Sequence, residues 1–253
     1  MITKSKVKKQ IVLGILGICI SAFVVVIFIQ QRTRIATHHI AFGVWTEGLF
    51  DASNKKLHPE ALLSFEQLIH KKASIAHYYL GWEYLADPEF LKQFVMLRSH
   101  GWEPMLNVNP YYFSGCTATQ LPLYKAIALG RCDEFLHKAG KNLSQIHEPF
   151  YLLFAWEMNN PQNEWSISHT GSSDEDFKQA WRHVYTIFRQ EKVTQLVWVF
   201  CPNVPDNSDF SYSKIYPGKN FVNWIGLDGY NWGTTQSWSQ WISFSRLVQN
   251  ELN

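Results

Sequence analysis

Phe150-Tyr151-Leu152-Leu153-Phe154-Ala155-Trp156-Glu157-Met158-Asn159-Asn160 is an apolar run that ends in a single carboxylate, followed by Met and two amides. A run so short and so aromatic predicts a buried strand. A charge at the point where such a strand leaves the core is placed for chemistry at the mouth of a sheet or barrel. The competing reading is a strand-end carboxylate paired with a nearby Lys or Arg.

Outward from this run, strand and helix signals alternate. His39 to Trp45, Ser74 to Trp82, Glu103 to Asn109, Gln195 to Asn203 and Val222 to Tyr230 read as strands. Pro59 to His70 reads as a helix with Leu62, Leu63, Glu66 and Ile69 at helical spacing. Asp87-Pro88 looks like an N-cap with Pro at the first helical position, and Gly101 closes that helix. Its expected buried stripe is Phe90, Leu91, Phe94, Val95 and Leu97. Cys132 to Ile146 is a further helix. Ser173 with Asp176 forms a capping box for a helix whose apolar face is Phe177, Ala180, Trp181, Val184, Tyr185 and Phe188. The last helix runs from Trp238 to about Asn250. Residues 110 to 130, with Tyr111, Tyr112 and Phe113 at their start, form a loop of a length that is uncommon unless functional.

The chain has 253 residues, 46% of them hydrophobic, enough for one sizeable core. Eleven Trp and eleven Tyr are many for that length, and exposed aromatic faces suit pyranose rings, although any single Trp reads first as core. The formal charge of +2 hides an asymmetry: Lys4, Lys6, Lys8, Lys9, Arg32 and Arg34 lie in the first 35 residues with no acid, leaving 17 basic against 21 acidic residues in the remainder. A mildly acidic body without a basic stripe argues against a nucleic-acid partner.

Residues 11–29 carry no charge, and as a helix they would span about 28 Å, close to the hydrocarbon thickness of a bilayer. Four lysines precede them, which predicts a cytoplasmic N-terminus and a periplasmic or extracellular body. The reading is a basic tail (1–10), an uncleaved transmembrane signal anchor (11–29), a linker (30–38) and one domain (39–253), with a cleaved signal peptide as the rival. An exported body permits a disulfide; Cys116 and Cys132 flank one loop and are the candidates, which leaves Cys201 free. No HExxH, CxxC or zinc spacing occurs, so no metal site and no cofactor is expected.

A βαβα order predicts a parallel sheet covered by helices, either a doubly wound open sheet or a (β/α)₈ barrel. Gly43-Val44-Trp45-Thr46-Glu47-Gly48 is not the phosphate turn of the former. The expected strand ends carry Trp45 and Glu47, Trp82 and Glu83, Asn107 and Asn109, Glu157 and Asn159, Asn203, and Asp228 and Tyr230. Aromatic, amide and carboxylate groups on one rim favour the barrel and a sugar ligand. Glycoside hydrolysis needs two carboxyl groups across the scissile bond, roughly 5 to 5.5 Å apart in retaining enzymes. Glu157, beside Trp156, is the candidate acid.

These residues resemble glycoside hydrolase family 26, which includes β-mannanases. Phe154-Ala155-Trp156-Glu157-Met158-Asn159 is similar to its acid/base segment. Trp181-Arg182-His183-Val184-Tyr185-Thr186-Ile187-Phe188-Arg189 and Trp198-Val199-Phe200-Cys201-Pro202-Asn203 extend the likeness, which is densest from Tyr216 to Gly233 and covers roughly residues 40 to 250. The resemblance implies a retaining endo-β-mannanase-type (β/α)₈ TIM barrel, preceded here by one transmembrane helix, with Glu157 as general acid/base. It implies that Tyr230 lies near the nucleophile, that Trp165 and Trp232 line a sugar cleft, and that the partner is a mannan-like β-glycan. Trp82, Asn159 and Asn203 complete the expected substrate-binding set.

The sequence departs from the family in two ways. The family usually has His where this chain has Trp156, which removes a hydrogen-bonding neighbour of the glutamate. The family's nucleophile comes from the seventh strand, and only about six βα units are read here, in about 218 body residues against roughly 250 for a barrel. Among substitutes, Glu47 and Glu83 would approach from other directions, and Asp228 reads better as a buried carboxylate hydrogen-bonded at the rim. The expectation is an incomplete barrel with an open flank, without a nucleophile of its own and thus without efficient turnover. A non-catalytic polysaccharide-binding or exopolysaccharide-associated membrane protein is the alternative.

Overall fold

The computed structural model describes residues 40–51, 56–110, 120–204 and 211–248. Six parallel strands form one sheet: β1 (Gly43–Val44), β4 (Ile75–Gly81), β5 (Glu103–Asn109), β6 (Phe150–Phe154), β7 (Leu196–Phe200) and β8 (Trp224–Ile225), in that spatial order. Each strand pairs with the next in the chain, without the reversal of order that marks a doubly wound sheet. The arrangement is a half-barrel, consistent with an incomplete TIM barrel. A separate antiparallel hairpin, β2 (Phe50–Asp51) with β3 (Lys56–Leu57), was not legible in the sequence.

The helices are α1 (Pro59–Ile69), α2 (Glu89–Ser99), α3 (Leu123–Ala128), α4 (Asp133–Leu143), α5 (Asp174–Gln190) and α6 (Phe244–Val248). The capping box of α5 is present: Ser173 Oγ accepts from the Asp176 N–H at 3.1 Å and Asp176 Oδ2 accepts from the Ser173 N–H at 3.0 Å. At α2 the cap is shifted by one residue: Pro88 is the N-cap, and Asp87 Oδ1 accepts from the Glu89 N–H at 3.0 Å. Val95, expected in the buried stripe of α2, faces outward at 71% exposure, and Gln93 is buried instead.

Period-2 alternation divides the core in two. Phe150, Leu152 and Phe154 of β6 pack outward with Phe94, Trp181 and Trp198 against the helices. Tyr151 and Leu153 point the other way, into the barrel interior, with Ile75, Trp156, Val199 and Cys201. Burial on both faces explains why β6 reads as an uninterrupted apolar run rather than an alternating one.

Several expected elements are shorter than their sequence signal. Val222 to Tyr230 forms a ladder only at Trp224–Ile225, followed by a single bridge from Asn203 to Asp228. Both ladder residues are exposed, and among the described residues the strand pairs only with β7. Trp238 to Ser243 is not helical, because Asn231 pins Ile242: its Nδ2 donates to the Ile242 carbonyl and its Oδ1 accepts the Ile242 N–H. The expected long loop contains α3. Cys132 is disulfide-bonded and Cys201 is free; Cys116 lies outside the described residues. So do the expected span at 11–29 and Tyr111 to Phe113. Among the described residues no helix is long and apolar enough to cross a membrane.

One buried carboxylate stitches the N-terminal units together. Glu66, near the end of α1, accepts from the Ala73 N–H at 2.8 Å and Trp102 Nε1 at 2.9 Å through Oε1, and from Lys72 Nζ at 2.8 Å through Oε2. Burial raises its proton affinity, but the three donors outweigh it and hold its carboxyl below the ordinary range. A depressed folded value means stability that is present above the unfolded pKa and lost as the pH falls through the folded one. Glu66→Ala is expected to cost about 2 kcal/mol or more in urea denaturation at neutral pH, since it strands buried Trp102 and Ala73 donors, and the deficit should shrink as the wild type is acidified.

Candidate active site

The site is built where β6 ends. Ala155 and Glu157 adopt left-handed backbone, with φ of 52° and 50°. Neither is glycine, so each costs roughly 1–2 kcal/mol. The turn is held by the neighbouring strands: the Ala155 N–H donates to the Val108 carbonyl at 2.8 Å and the Glu157 N–H to the Cys201 carbonyl at 2.7 Å. Trp165 adds a third tie, Nε1 donating to the Trp156 carbonyl at 2.7 Å with the two rings 4.3 Å apart. Strain of this kind persists at functional sites when the surroundings fix it.

The Glu157 side chain is buried and its Oε2 accepts from Asn160 Nδ2 at 2.9 Å and Asn163 Nδ2 at 3.3 Å. No Lys or Arg pairs with it among the described residues, so the ion-pair reading fails. Two amides thus orient the carboxylate where Trp156 cannot. Asn163 was not singled out in the sequence; its spacing of six from Glu157 has meaning only once the turn is known.

Across β7 lies Asp228, its N–H donating to the Pro202 carbonyl at 3.0 Å and its carbonyl accepting from the Val204 N–H at 2.7 Å. Burial, and then the charge of Glu157, push its carboxyl up to about 6, against a hydrogen bond from the Cys201 thiol that lowers it. Burial, followed by the same carboxylates, pushes the Cys201 thiol up. Tyr79, on the inward face of β4, is pushed up to about 12 by burial and then by Asp228, Tyr230, Glu157 and Cys201. Tyr230 is raised by burial and by Glu157 and Asp228. Glu157, Asp228, Tyr79, Tyr230 and Cys201 therefore share one electrostatic neighbourhood. Glu47 and Glu83 are solvent-exposed and contribute to none of these shifts.

The other expected binding residues divide. Tyr230 and Trp232 are exposed at 58% and 45%, with stacked rings 5.6 Å apart. Trp165 is part-buried beside the Glu157 turn. Asn159 spends its amide on the backbone of Asn203, accepting from its N–H and donating to its carbonyl, both at 2.8 Å, so it locks the β6 turn to the end of β7. Trp82 is a correction. It continues the outward-facing series Ala76, Tyr78 and Leu80 of β4 at the start of a 3-10 turn (Trp82–Ala86), so the indole packs in the outer layer against Phe135 and Phe154, where it is 1% exposed and offers no face to a sugar.

Because ionisation of Asp228 is disfavoured in the fold, its penalty is full above the folded pKa and vanishes below the unfolded one. Asp228→Asn is expected to melt higher than the wild type at about pH 7, with the gap closing toward about pH 4 in a thermal-melt series.

A model of glycosyl hydrolase family 26 matches residues 139–251. Endoglucanase H of Acetivibrio thermocellus is 29% identical over 194 residues, 74% of this chain and 20% of that protein. The β-1,3-xylanase TXYA of a Vibrio species is 28% identical over 126 residues, 46% of this chain and 25% of that protein. The chain therefore spans only a minor part of these curated relatives. Among solved structures, the Bacillus subtilis mannanase BCman superposes with a TM-score of 0.59 at 18% identity, covering 85% of this chain and 69% of that one, a likeness of fold. The family match falls on the segment that carries Glu157, Asp228 and Tyr230, and the sheet is of the barrel type, so over residues 139–251 the chain is similar to glycosyl hydrolase family 26.

Proposed function

We propose that the domain is an endo-acting β-glycan hydrolase of mannanase type, in which Glu157 is the general acid/base of a retaining double displacement. The observation that carries the reading is the seat of Glu157: a buried carboxylate on a strained turn at the C-terminal rim of a parallel sheet, oriented by two amides and flanked by a second carboxylate. In the first step its proton passes to the glycosidic oxygen as a nucleophilic carboxylate, held by none of the described residues, takes the anomeric carbon and the glycosidic bond breaks; in the second it takes a proton from the water that displaces that carboxylate. Asp228, bonded to the Cys201 thiol and tied through its backbone on both sides, acts as a neighbour that sets the field at Glu157 rather than as the attacking group. The nucleophile is assigned to none of the described residues.

A second reading keeps the glycan and drops the chemistry. It is supported by the exposed Tyr230–Trp232 stack and by the single well-oriented carboxylate, and it makes the protein a polysaccharide-binding component at the membrane. Incubation with β-mannan, mixed-linkage glucan and β-1,3-xylan separates the two. Release of oligosaccharides that drops about 10²-fold or more in Glu157→Gln, with binding retained, is the expected outcome for the enzyme. Retarded migration in a polysaccharide gel without release at any enzyme concentration would leave the binding reading.

The charge-free residues 11–29 and the lysines before them support anchoring, with the body outside the cytoplasm. The full chain is expected to stay with membranes through alkaline carbonate extraction; its appearance in the soluble fraction would refute the anchor.

A further inference from the structure

Cys201 joins the two carboxylates of the rim, and the reaction proposed above gives it no part. It directly follows β7, the strand that lies between β6, which leads to Glu157, and β8, which leads to Asp228. Its backbone serves one neighbour: the Cys201 carbonyl accepts the Glu157 N–H at 2.7 Å. Its side chain serves the other: the thiol donates to the Asp228 carboxylate. The register explains the placement. Phe200 pairs with Ile225, so Cys201 is level with Gly226, and the bridge from Asn203 to Asp228 keeps that register. Asp228 is thus two residues past Gly226, on the same face of the sheet. A Cβ at 226 would lie 2.9 Å from Cys201 Sγ and 3.3 Å from Cys201 Cβ. Glycine is what leaves the sulfur this seat.

A thiol suits this seat. Cys201 is buried in the inward-facing cluster with Ile75, Leu153 and Val199, and a free thiol behaves as a small hydrophobe that still carries a weak donor. Burial, then the charges of Asp228 and Glu157, push its pKa up, so the proton stays on sulfur and the group acts as a donor rather than a nucleophile. The titratable groups that share its surroundings are Asp228 and Tyr230 after β8, Glu157 after β6 and Tyr79 of β4, and no cation contributes to its shift. At Asp228 the thiol works against burial and against the Glu157 charge, because it favours the ionised carboxylate.

We propose that Cys201 is a positioning residue for the acid/base step, fixing Glu157 through its carbonyl and the Asp228 carboxylate through its thiol, so that one residue sets how the two carboxyl groups face each other. The inference rests on the hydrolase reading above and deepens it. Repulsion between two carboxylates is mutual, so the charge that the thiol keeps on Asp228 is felt where Glu157 delivers its proton. Cys201 touches neither the sugar nor the reacting atoms in this scheme; it acts through the two groups it holds.

Two measurements on the full chain test it. Infrared difference spectra of wild type against Cys201→Ala isolate the S–H stretch of Cys201. That band should move to lower frequency as the pH rises through about 6, where Asp228 ionises, and should lose the movement in Asp228→Asn. A band fixed at one frequency from about pH 4 to about pH 8 overturns the bond and the proposal. The second measurement is oligosaccharide release from β-mannan, mixed-linkage glucan and β-1,3-xylan. Cys201→Ala should lower kcat about two- to tenfold, the worth of one hydrogen bond, with KM little changed. It should also move the limb of the pH profile that reports Asp228 to higher pH. Cys201→Ser keeps a donor and should recover most of the loss, whereas Cys201→Val fills the space without a donor and should not. Gly226→Ala, which pushes the sulfur aside, should move the same limb with the thiol still present. If Cys201→Val restores the profile as well as Cys201→Ser, Cys201 only packs and the proposal is overturned while the hydrolase reading stands. If the wild type releases oligosaccharide from none of the three glycans, the hydrolase reading falls and takes the positioning role with it, whatever the infrared band shows.

Discussion

The arrangement at the rim depends on two backbone hydrogen bonds that continue the parallel ladder past the point where β6 ceases to be a strand. The Ala155 N–H reaches the Val108 carbonyl on one side, and the Glu157 N–H reaches the Cys201 carbonyl on the other. They hold two non-glycine residues in left-handed conformation, at a combined cost of roughly 2–4 kcal/mol. Each such bond contributes about 0.5–1.5 kcal/mol, and the indole contact of Trp165 with Trp156 adds about 0.5–1.5 kcal/mol more. The balance is close, so the turn persists only because β5, β6 and β7 are rigid around it. Its product is a glutamate lifted out of the strand direction with its backbone fixed from both sides.

That rigidity comes from the double burial of the central strands. The outward residues of β6 lock into the rings of α2 and α5, while Tyr151 and Leu153 fill the interior. Asn159 then ties the turn to the end of β7 through the backbone of Asn203, and Tyr212 donates to the same Asn203 carbonyl at 3.1 Å. Order decreases toward the edge: β8 has two ladder residues, both exposed, and the chain after it is organised by the single side chain of Asn231. The catalytic candidate therefore stands on the best-packed strand, and the aromatic groups that would grip a ligand stand on the less constrained margins.

What was legible in the sequence follows the same gradient. β6 and its glutamate could be read because burial on both faces leaves an unmistakable apolar run. The capping box of α5 could be read because its two hydrogen bonds are local. The register of β8 could not, since Val222 to Tyr230 carries a strand-like composition whether or not a second neighbour exists to extend the ladder. Trp82 was misplaced because it was read only as a strand end; at period 2 it follows Ala76, Tyr78 and Leu80 on the outward face of β4, and alternation already sends it into the outer layer. Asn160 and Asn163 as holders of Glu157, and Tyr79 as its neighbour, were hidden for another reason. The first two depend on positive φ at residues without the glycine that would signal it, and the third depends on a contact across three strands.

The electrostatics of the rim bear on which groups can donate a proton or a hydrogen bond to a bound sugar. Burial comes first among the causes of the shifts at Asp228, Tyr79 and Tyr230, and the Glu157 charge adds to it at each. Phenols are neutral in the physiological range to begin with, and these shifts move both further from ionisation, so they remain donors beside carboxylates that accept. A glycan that covered the rim would exclude water and strengthen the burial effect on every one of these groups. For Asp228, already up to about 6 without a ligand, the further rise would carry its carboxyl into the neutral range, and the repulsion that opposes ionisation of the pair would then be relieved by taking up a proton. A ligand that dried the rim would thus be linked to proton uptake at Asp228 through the same low-dielectric packing that holds the turn.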